Sequence, residues 1–173
     1  MFVALDFETA DFKADSACAV GMARIEEGEV TGTFYRLIRP PRSRVMFTHI
    51  HGLTWPTLSK EIGFAELWPE MAAFMQDATG FIAHNASFDR RILQGCCAAF
   101  GLEAPALPFY CTLKGARRNL GLASNSLGAV CAHLDIDLHH HHAGSDALGA
   151  AHIFLHLTRG AAKPLPLDQL RLR

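Results

Sequence analysis

The chain has 173 residues, half of them apolar, which suits one domain with a sizeable buried core. Sixteen Lys and Arg against seventeen Asp and Glu give a formal charge of −1, whereas a protein that grips long duplex DNA without metals is usually clearly basic. Composition therefore disfavours a sequence-specific DNA-binding protein, but it permits an enzyme that holds only a strand end.

The first part of the chain predicts a strand followed by a β-hairpin. Residues 2–8 form a short apolar run, typical of a buried strand. Residues 18–26 and 29–39 are two strand-like runs, separated by the turn-forming pair Glu27-Gly28. We expect Pro40-Pro41 to end this ribbon, because proline cannot donate a hydrogen bond to a strand ladder.

The middle of the chain predicts helix, strand and helix. Apolar residues recur at helical spacing over residues 64–76, and Pro69 inside this pattern means that the helix either kinks or restarts there. Residues 80–84 read as a short buried strand. Asn85 is expected to cap a helix that runs to about residue 100, with Gly101 as its stop.

Helices dominate the rest of the chain. Residues 112–119 and 126–133 predict two short helices, residues 144–158 a last long helix, and residues 159–173 a proline-containing tail. Together the elements predict an α/β fold with a sheet of mixed direction. We expect a single domain over residues 1–173, with its core at about 2–158.

The sequence indicates a soluble, cytoplasmic protein without a membrane partner. No apolar run reaches the roughly 18 residues needed to span a bilayer, and a carboxylate at position 6 argues against a signal peptide. The cysteines are five, two of them adjacent and none in a CxxC pair, so they predict core thiols rather than disulfides or a zinc ribbon: Cys18, Cys96, Cys97, Cys111 and Cys131.

Acidic side chains follow the predicted strands. Asp6 and Glu8 stand two apart on a strand, so they leave the same face. Asp89 falls in the first turn of a helix that follows a strand, where many α/β proteins place their sites. Each has a simpler explanation when taken alone: a solvated strand end for the pair, and a favourable helix dipole for Asp89.

Asp146 lies near the start of the last helix, five positions after His141. Five residues turn a helix about 140° beyond a full circle, so His141 should project from the loop before the helix. The alternative for the four consecutive histidines 139–142 is a solvated run or an incidental transition-metal site.

Convergence of the four carboxylates would require cations. A pair of carboxylates about 4 Å apart costs roughly 4 kcal/mol at an effective dielectric near 20, and two divalent ions would neutralise four negative charges. Oxygen-only ligands favour Mg²⁺ or Mn²⁺ over Zn²⁺.

The same residues carry a family resemblance. Leu5-Asp6-Phe7-Glu8-Thr9, His84-Asn85-Ala86-Ser87-Phe88-Asp89 and the His-x4-Asp of residues 141–146 resemble, in order and spacing, the three motifs of the DEDDh exonucleases. This is the superfamily of the bacterial DNA polymerase III epsilon proofreading subunit and of RNase T. Residues 50–54 also resemble the Ile-His-Gly-Ile-Thr stretch often found between the first two motifs, and the match spans residues 2 to about 157.

The resemblance implies an RNase H-like fold, a mixed five-stranded sheet with helices on both sides. It implies two divalent cations, with His141 as general base and with four metal ligands: Asp6, Glu8, Asp89 and Asp146. It also implies that four residues surround the terminal nucleotide, although a packed loop histidine is the alternative for the second of them: Thr9, His51, Asn85 and Phe88.

Two features depart from the family pattern. His142 stands where many relatives carry Arg, and His140 lies on the other side of His141. Only His141 has the expected spacing to Asp146, but a flexible loop could present a neighbour instead. The tail after Arg159 is too short for a second domain and shows no obvious clamp-binding segment.

We therefore predict a metal-dependent 3′→5′ exonuclease that hydrolyses the terminal phosphodiester of single-stranded or frayed nucleic acid, with DNA favoured, and releases nucleoside 5′-monophosphates. The near-neutral charge predicts a weak grip on the strand and distributive action. The same fold could serve as a polymerase-associated proofreading subunit or as an RNA-trimming exoribonuclease, depending on tolerance of a 2′-hydroxyl.

A rival from another class is a non-enzymatic Ni²⁺- or Zn²⁺-binding domain, built from His133, residues 139–142 and His152. This rival leaves Asp6, Glu8 and Asp89 unexplained. The sequence does not indicate an oligomeric state.

Overall fold

A computed structural model describes residues 1–172, and a five-stranded sheet of order β3-β2-β1-β4-β5 lies at its centre. The pairs β1–β2 and β2–β3 are antiparallel, whereas β1–β4 and β4–β5 are parallel. The mixed direction is as predicted. The strands are β1 (Phe2–Thr9), β2 (Ala17–Glu26), β3 (Glu29–Leu37), β4 (Phe81–Ala83) and β5 (Phe109–Cys111).

Helices follow the hairpin and then alternate with the last two strands. They are α1 (Thr48–His51), α2 (Trp55–Leu58), α3 (Phe64–Met75), α4 (Ala86–Ala99), α5 (Thr112–Asn119), α6 (Leu127–His133), α7 (Ala143–Leu155) and α8 (Leu167–Leu170), with a π-helical turn at His156–Gly160 after α7. In this part of the chain, no helix is both long and apolar enough to cross a membrane.

Two predictions about helix ends need correction. Helix α3 begins at Phe64 and continues through Pro69, so a restart at the proline is wrong. Pro69 and Ala65 are both exposed, and water can therefore satisfy the Ala65 carbonyl that the proline cannot serve. Asn85 does stand at the N-cap of α4, but its φ of 75° is left-handed and its side chain makes no capping hydrogen bond.

The predicted hairpin is present, with Glu27 and Gly28 both at positive φ, although β3 ends at Leu37 rather than at residue 39. The proline-containing tail also has structure that the sequence did not predict. It forms α8, and Leu172 donates a hydrogen bond from its amide to the Phe109 carbonyl at 2.7 Å, so the tail lies along the edge of β5. The last residue, Arg173, lies outside the described residues.

Each face of the sheet is covered by its own hydrophobic core. Val3, Leu5 and Phe7 of β1 pack against α3 and α4. Ala4 points to the opposite face, which α5, α6 and α7 cover. Because side chains alternate along a strand, Asp6 and Glu8 continue the face on which α7 lies. All five cysteines are buried and free, as predicted.

A glycine sets how closely α7 approaches that face. Gly21 on β2 pairs with Asp6 on β1. A Cβ atom at Gly21 would lie 2.0 Å from the carbonyl oxygen of Ala143, the first residue of α7. The absence of a side chain at position 21 therefore lets the N-terminus of α7 rest on the sheet directly beside Asp6.

Candidate active site

Three of the four predicted carboxylates meet at the end of β1. Asp6 and Glu8 project from β1 toward α7, and Asp146 lies in the first turn of α7. One carboxylate oxygen from each of the three lies within 4.8 Å of the other two. The chain thus joins residues 140 positions apart because Gly21 lets α7 start beside the strand.

Asp89 takes a different position from the other three. It is buried in the first turn of α4, and its Oδ1 accepts a hydrogen bond from the Phe7 amide at 3.2 Å. Strand β4 ends at Ala83 and does not extend alongside Phe7, so the carboxylate serves the amide that lies between Asp6 and Glu8. Asp89 is near enough to Asp6 for their charges to repel, although it is not one of the three within 4.8 Å.

Burial, together with repulsion between carboxylates, raises the pKa values of the acidic cluster. Burial, together with Asp146, raises the pKa of Glu8 to about 7. Burial raises the pKa of Asp89 to about 8 even though the Phe7 amide opposes it. The pKa of Asp6 lies well above its usual range because of burial and then of repulsion by Asp89, Asp146 and Glu8.

Asp146 has a carboxylate oxygen that is not satisfied by the described part of the protein. Its side chain is buried, and Oδ1 has no hydrogen-bond partner among the described residues. Burial raises its pKa despite three nearby histidines, His140, His141 and His142. A buried, unpartnered carboxylate oxygen beside two further carboxylates fits a divalent cation, and an all-oxygen donor set suits Mg²⁺ or Mn²⁺.

His141 projects from the turn before α7, as its spacing to Asp146 predicted. Its φ is 61°, in the left-handed region that few non-glycine residues adopt. The side chain is exposed, and a ring nitrogen lies within 4.8 Å of an Asp146 oxygen. Backbone strain of this kind is often retained where a side chain must be presented in one direction.

A cavity of about 480 Å³ opens beside the carboxylates. All four residues predicted around the nucleotide line it, namely Thr9, His51, Asn85 and Phe88. Six further residues in its wall were not predicted as site residues: Phe7, Phe47, Ile50, His84, Leu127 and His140. Phe7, Ile50 and His84 lie inside the recognised stretches, and His140 adjoins His141. No periodic pattern in the sequence indicated that Phe47 and Leu127 face the cavity.

Of the four histidines that line the cavity, His51 and His84 have both ring nitrogens engaged by the protein. His51 accepts from the Leu53 amide through Nδ1 at 3.1 Å, so its Nε2–H donates to the Thr9 carbonyl at 3.2 Å. His84 contacts the Thr112 hydroxyl and the Asn125 carbonyl, each at 2.9 Å. Burial lowers the pKa of both. These contacts favour the alternative in which His51 is a packed histidine that positions its loop.

An aromatic rim lies beside the cavity. Phe12 is 71% exposed, and its ring packs edge-on against Phe47 at 4.8 Å. Arg42 holds the loop that carries Phe12, since it donates hydrogen bonds to Asp11 at 2.8 Å and to Asp15 at 2.9 Å. An exposed aromatic side chain on an anchored loop offers a stacking surface for a nucleobase.

The sequence matches a known protein family. A sequence model of the RNase T family, described as exonuclease, matches residues 3–154. The PolC-type DNA polymerase III of Thermotoga maritima is 35% identical over 160 residues, which are 89% of this chain and 12% of that protein. The PolC-type polymerase of Halalkalibacterium halodurans is 28% identical over 168 residues, or 94% of this chain and 12% of that protein. The chain therefore spans about 12% of the length of these relatives.

Solved structures share the fold. Exonuclease X in complex with 5′-overhanging duplex DNA aligns with a TM-score of 0.72 and 22% identity, over 98% of this chain and 97% of that one. The nuclease domain of 3′hExo, a DEDDh family member bound to rAMP, aligns with a TM-score of 0.78 and 13% identity, over 95% and 96% of the two chains. At such identities the likeness shows the fold alone, and it confirms the predicted RNase H-like architecture.

Proposed function

Because this chain belongs to the exonuclease family of RNase T, within the DEDDh superfamily, we propose that it is a metal-dependent 3′→5′ exonuclease. The family uses divalent metal ions. The finer assignment, two Mg²⁺ or Mn²⁺ ions with Asp6, Glu8, Asp89 and Asp146 as their ligands, is part of the proposal.

One observation supports the proposal more than any other. The buried Oδ1 of Asp146 has no hydrogen-bond partner in the described chain, and it lies among carboxylates whose pKa values burial raises. Such a site is stabilised by cations. In contrast, His133 and His152, which the metal-store rival needs, belong to neither of the ligand groups that the described residues form.

The chain's own residues account for the remaining steps. Cations bound there would lower the pKa of water and stabilise negative charge on the phosphate. His141, exposed beside Asp146, takes the proton of the attacking water, a contribution typically worth 10²–10⁴-fold in rate. Asp89 keeps the Phe7 amide paired and so fixes the backbone between Asp6 and Glu8. Hydrolysis then releases a nucleoside 5′-monophosphate and leaves a strand shortened by one nucleotide.

The cavity limits what can bind. A volume of about 480 Å³ suits one nucleotide and little more. Phe88 lies in the wall, and Phe12 with Phe47 extends an apolar surface past the rim. Since the formal charge is −1, we expect weak contacts to the rest of the strand and distributive action on single-stranded or frayed ends.

The experiment that tests the proposal uses oligonucleotides labelled at the 3′ or the 5′ end. With Mg²⁺ or Mn²⁺, we expect early release of the 3′ label and a ladder of 5′-labelled products, both abolished by EDTA. Asp6→Asn should remove the activity, whereas Asp168→Asn, in the tail helix α8, serves as the matched control. An Asp6→Asn protein as active as the parent would falsify the metal-site assignment.

Substrate class and partner require their own comparison. The PolC-type relatives are DNA polymerases by name, which favours DNA and a polymerase partner. The likeness to 3′hExo, solved with rAMP, keeps the RNA-trimming alternative open. Matched DNA and RNA oligonucleotides under identical salt distinguish the two, and faster degradation of RNA would overturn the preference for DNA.

A further inference from the structure

His140 is absent from the proposed reaction, yet it stands beside the proposed catalytic histidine. Ring nitrogens of His140 and His141 and a carboxylate oxygen of Asp146 all lie within 4.8 Å of one another. The two imidazole rings lie side by side, with centroids 5.2 Å apart and a 34° tilt. Asp146 therefore belongs to two ligand groups, an all-oxygen group with Asp6 and Glu8 and a nitrogen-containing group with the histidines.

The side chains of the second group make few other contacts. Oδ1 of Asp146 is buried and unpartnered among residues 1–172. The rings of His140 and His141 make no hydrogen bond within that range, whereas Nδ1 of His142 accepts from the Ser145 amide and its ring stacks on Tyr35. The unpartnered oxygen of Asp146 and the two imidazoles are therefore available to bind a metal ion.

A close backbone contact holds His140 in this group. A Cβ atom built at Gly128, in the first turn of α6, would lie 1.9 Å from Nε2 of His140. The imidazole therefore lies directly on the α6 backbone, and any side chain at position 128 would displace it. The missing side chain at Gly128 thus leaves room for the exposed His140 ring beside His141.

The chemistry of these donors differs from that of the carboxylate cluster. Imidazole nitrogens with one carboxylate favour zinc over magnesium, and three protein ligands leave a fourth tetrahedral position for water. We propose that His140, His141 and Asp146 form a zinc site, and that Zn²⁺ bound there inhibits the nuclease. The inhibitory part of this inference rests on the proposed function.

Inhibition follows from the shared residues. A nitrogen lone pair of His141 that is bound to zinc cannot accept a proton from water. Asp146 bound to zinc is at the same time a poorer ligand for a cation between Asp6 and Glu8. Zinc at this site therefore removes the general base even when Mg²⁺ is in excess.

Zinc binding tests the site independently of activity. In calorimetric titration of EDTA-stripped protein with excess Mg²⁺ present, we expect one Zn²⁺ per chain. His140→Asn should weaken the affinity at least tenfold, whereas the neighbouring exposed His139→Asn should not change it. Gly128→Ala should weaken it as His140→Asn does, and since alanine favours a helix it should not unfold α6. Equal losses in the His139 and His140 variants would overturn the site in favour of an unspecific histidine run.

Nuclease assays then test the inhibition. With each protein's own zinc-free rate as the reference, half-inhibition of His140→Asn and Gly128→Ala should need at least tenfold more Zn²⁺ than half-inhibition of the parent. Zinc that binds through His140 without slowing a Mg²⁺-dependent nuclease would overturn the inhibitory role. Zinc binding that depends on His140 in a protein with no nuclease activity would support the site and overturn the proposed function instead.

Discussion

Asp89 shows how one residue can act in opposite directions on stability and on activity. Its carboxylate is buried, it accepts the Phe7 amide, and it repels Asp6. Without a cation, its negative charge destabilises the fold. When a cation is bound nearby, the same negative charge would help to hold it and so support activity. An amide of the same shape separates these two effects, because its oxygen can still accept the Phe7 hydrogen bond.

We therefore expect Asp89→Asn to stabilise the metal-free protein and to inactivate it. Removing the buried charge at pH 8 should raise the free energy of unfolding by on the order of 1–2 kcal/mol, or Tm by roughly 2–8 °C. Activity with Mg²⁺ should fall on the order of 10²-fold or more. Thermal unfolding in EDTA and the end-label assay measure the two effects, and a lower Tm in EDTA would contradict this account of Asp89.

Phe12 is a residue whose contribution belongs to binding rather than chemistry. Phe12→Ala removes the exposed ring that packs on Phe47 but leaves the carboxylates in place. Since stacking of a base on an aromatic side chain is worth about 1–3 kcal/mol, we expect KM for a single-stranded oligonucleotide to rise about fivefold or more while kcat changes little.

Phe100→Ala is the control for this prediction, because Phe100 is also partly exposed but follows the far end of α4 from Asp89. Steady-state rates at several oligonucleotide concentrations give both constants. A fall in kcat with KM unchanged would argue against a stacking surface.

The residues that could be predicted from sequence and those that were missed differ in whether a local pattern encodes them. Asp6, Glu8, Asp146 and His141 are chemically distinctive residues at the spacing of the motifs, so they could be predicted. Phe47 and Ile50 face the cavity only because the chain folds back over Thr9 through the His51 contact. That contact joins positions 42 apart, and no local pattern encodes it.

At the scale of elements, the long periodic segments were predictable, and so were the shorter β4, α5 and α6, whereas β5, α1, α2 and α8 were not. Helices α3, α4 and α7 and the β2–β3 hairpin each present a repeated apolar pattern. Strand β5 has three residues and α1 has four, too few for a period to show. The left-handed Asn85 likewise escaped prediction, because its backbone is set by the junction between β4 and α4 and not by capping.

Asp146 reaches the sheet on helix α7, and the close approach of α7 depends on the missing side chain at Gly21. Gly21→Ala places a methyl group 2.0 Å from the Ala143 carbonyl, so the helix start must shift. We expect a loss of roughly 1–3 kcal/mol in stability, together with a fall in kcat at least tenfold because a displacement of about 1 Å in a catalytic group is costly.

Gly32→Ala on β3 is the matched control, since the added methyl group would meet only the Phe74 ring at 3.9 Å. Tm and kcat of the two variants, measured side by side, test the prediction. If Gly21→Ala kept both values of the parent, the close approach of α7 would not be what positions Asp146.

At the scale of the whole molecule, the formal charge of −1 conceals a strongly uneven distribution. Asp6, Glu8 and Asp146 form one acidic cluster with Asp89 nearby. On the neighbouring loop, Arg42 forms ion pairs with Asp11 and Asp15. A sequence can reveal total charge and motif spacing, but it cannot reveal which acidic residues are paired. Only the fold separates the carboxylates paired with Arg42 from the clustered ones, and we therefore expect stability to depend on both pH and cations.

Stability should depend on pH because carboxyl groups of the cluster have raised pKa values. In the folded, metal-free protein the pKa values of Glu8 and Asp89 are about 7 and about 8, against about 4.3 and 3.9 in an unfolded chain. Between these values the folded state holds more protons than the unfolded state, so the free energy of unfolding decreases as pH rises. The partly buried His51 and His84, whose pKa values are lowered, act in the opposite direction as pH rises to about 6.5.

Measurements between pH 6.5 and 8.5 therefore isolate the carboxylates. In EDTA, we expect Tm to fall across this range, and Glu8→Gln to fall less steeply at its lower end. Because Mg²⁺ binds the ionised carboxylates, it should raise Tm more at pH 8.5 than at pH 6.5, whereas NaCl of matched ionic strength should not. A Mg²⁺ effect that is equal at both pH values would argue against binding at the carboxylate cluster, where Glu8 and Asp89 ionise across this range.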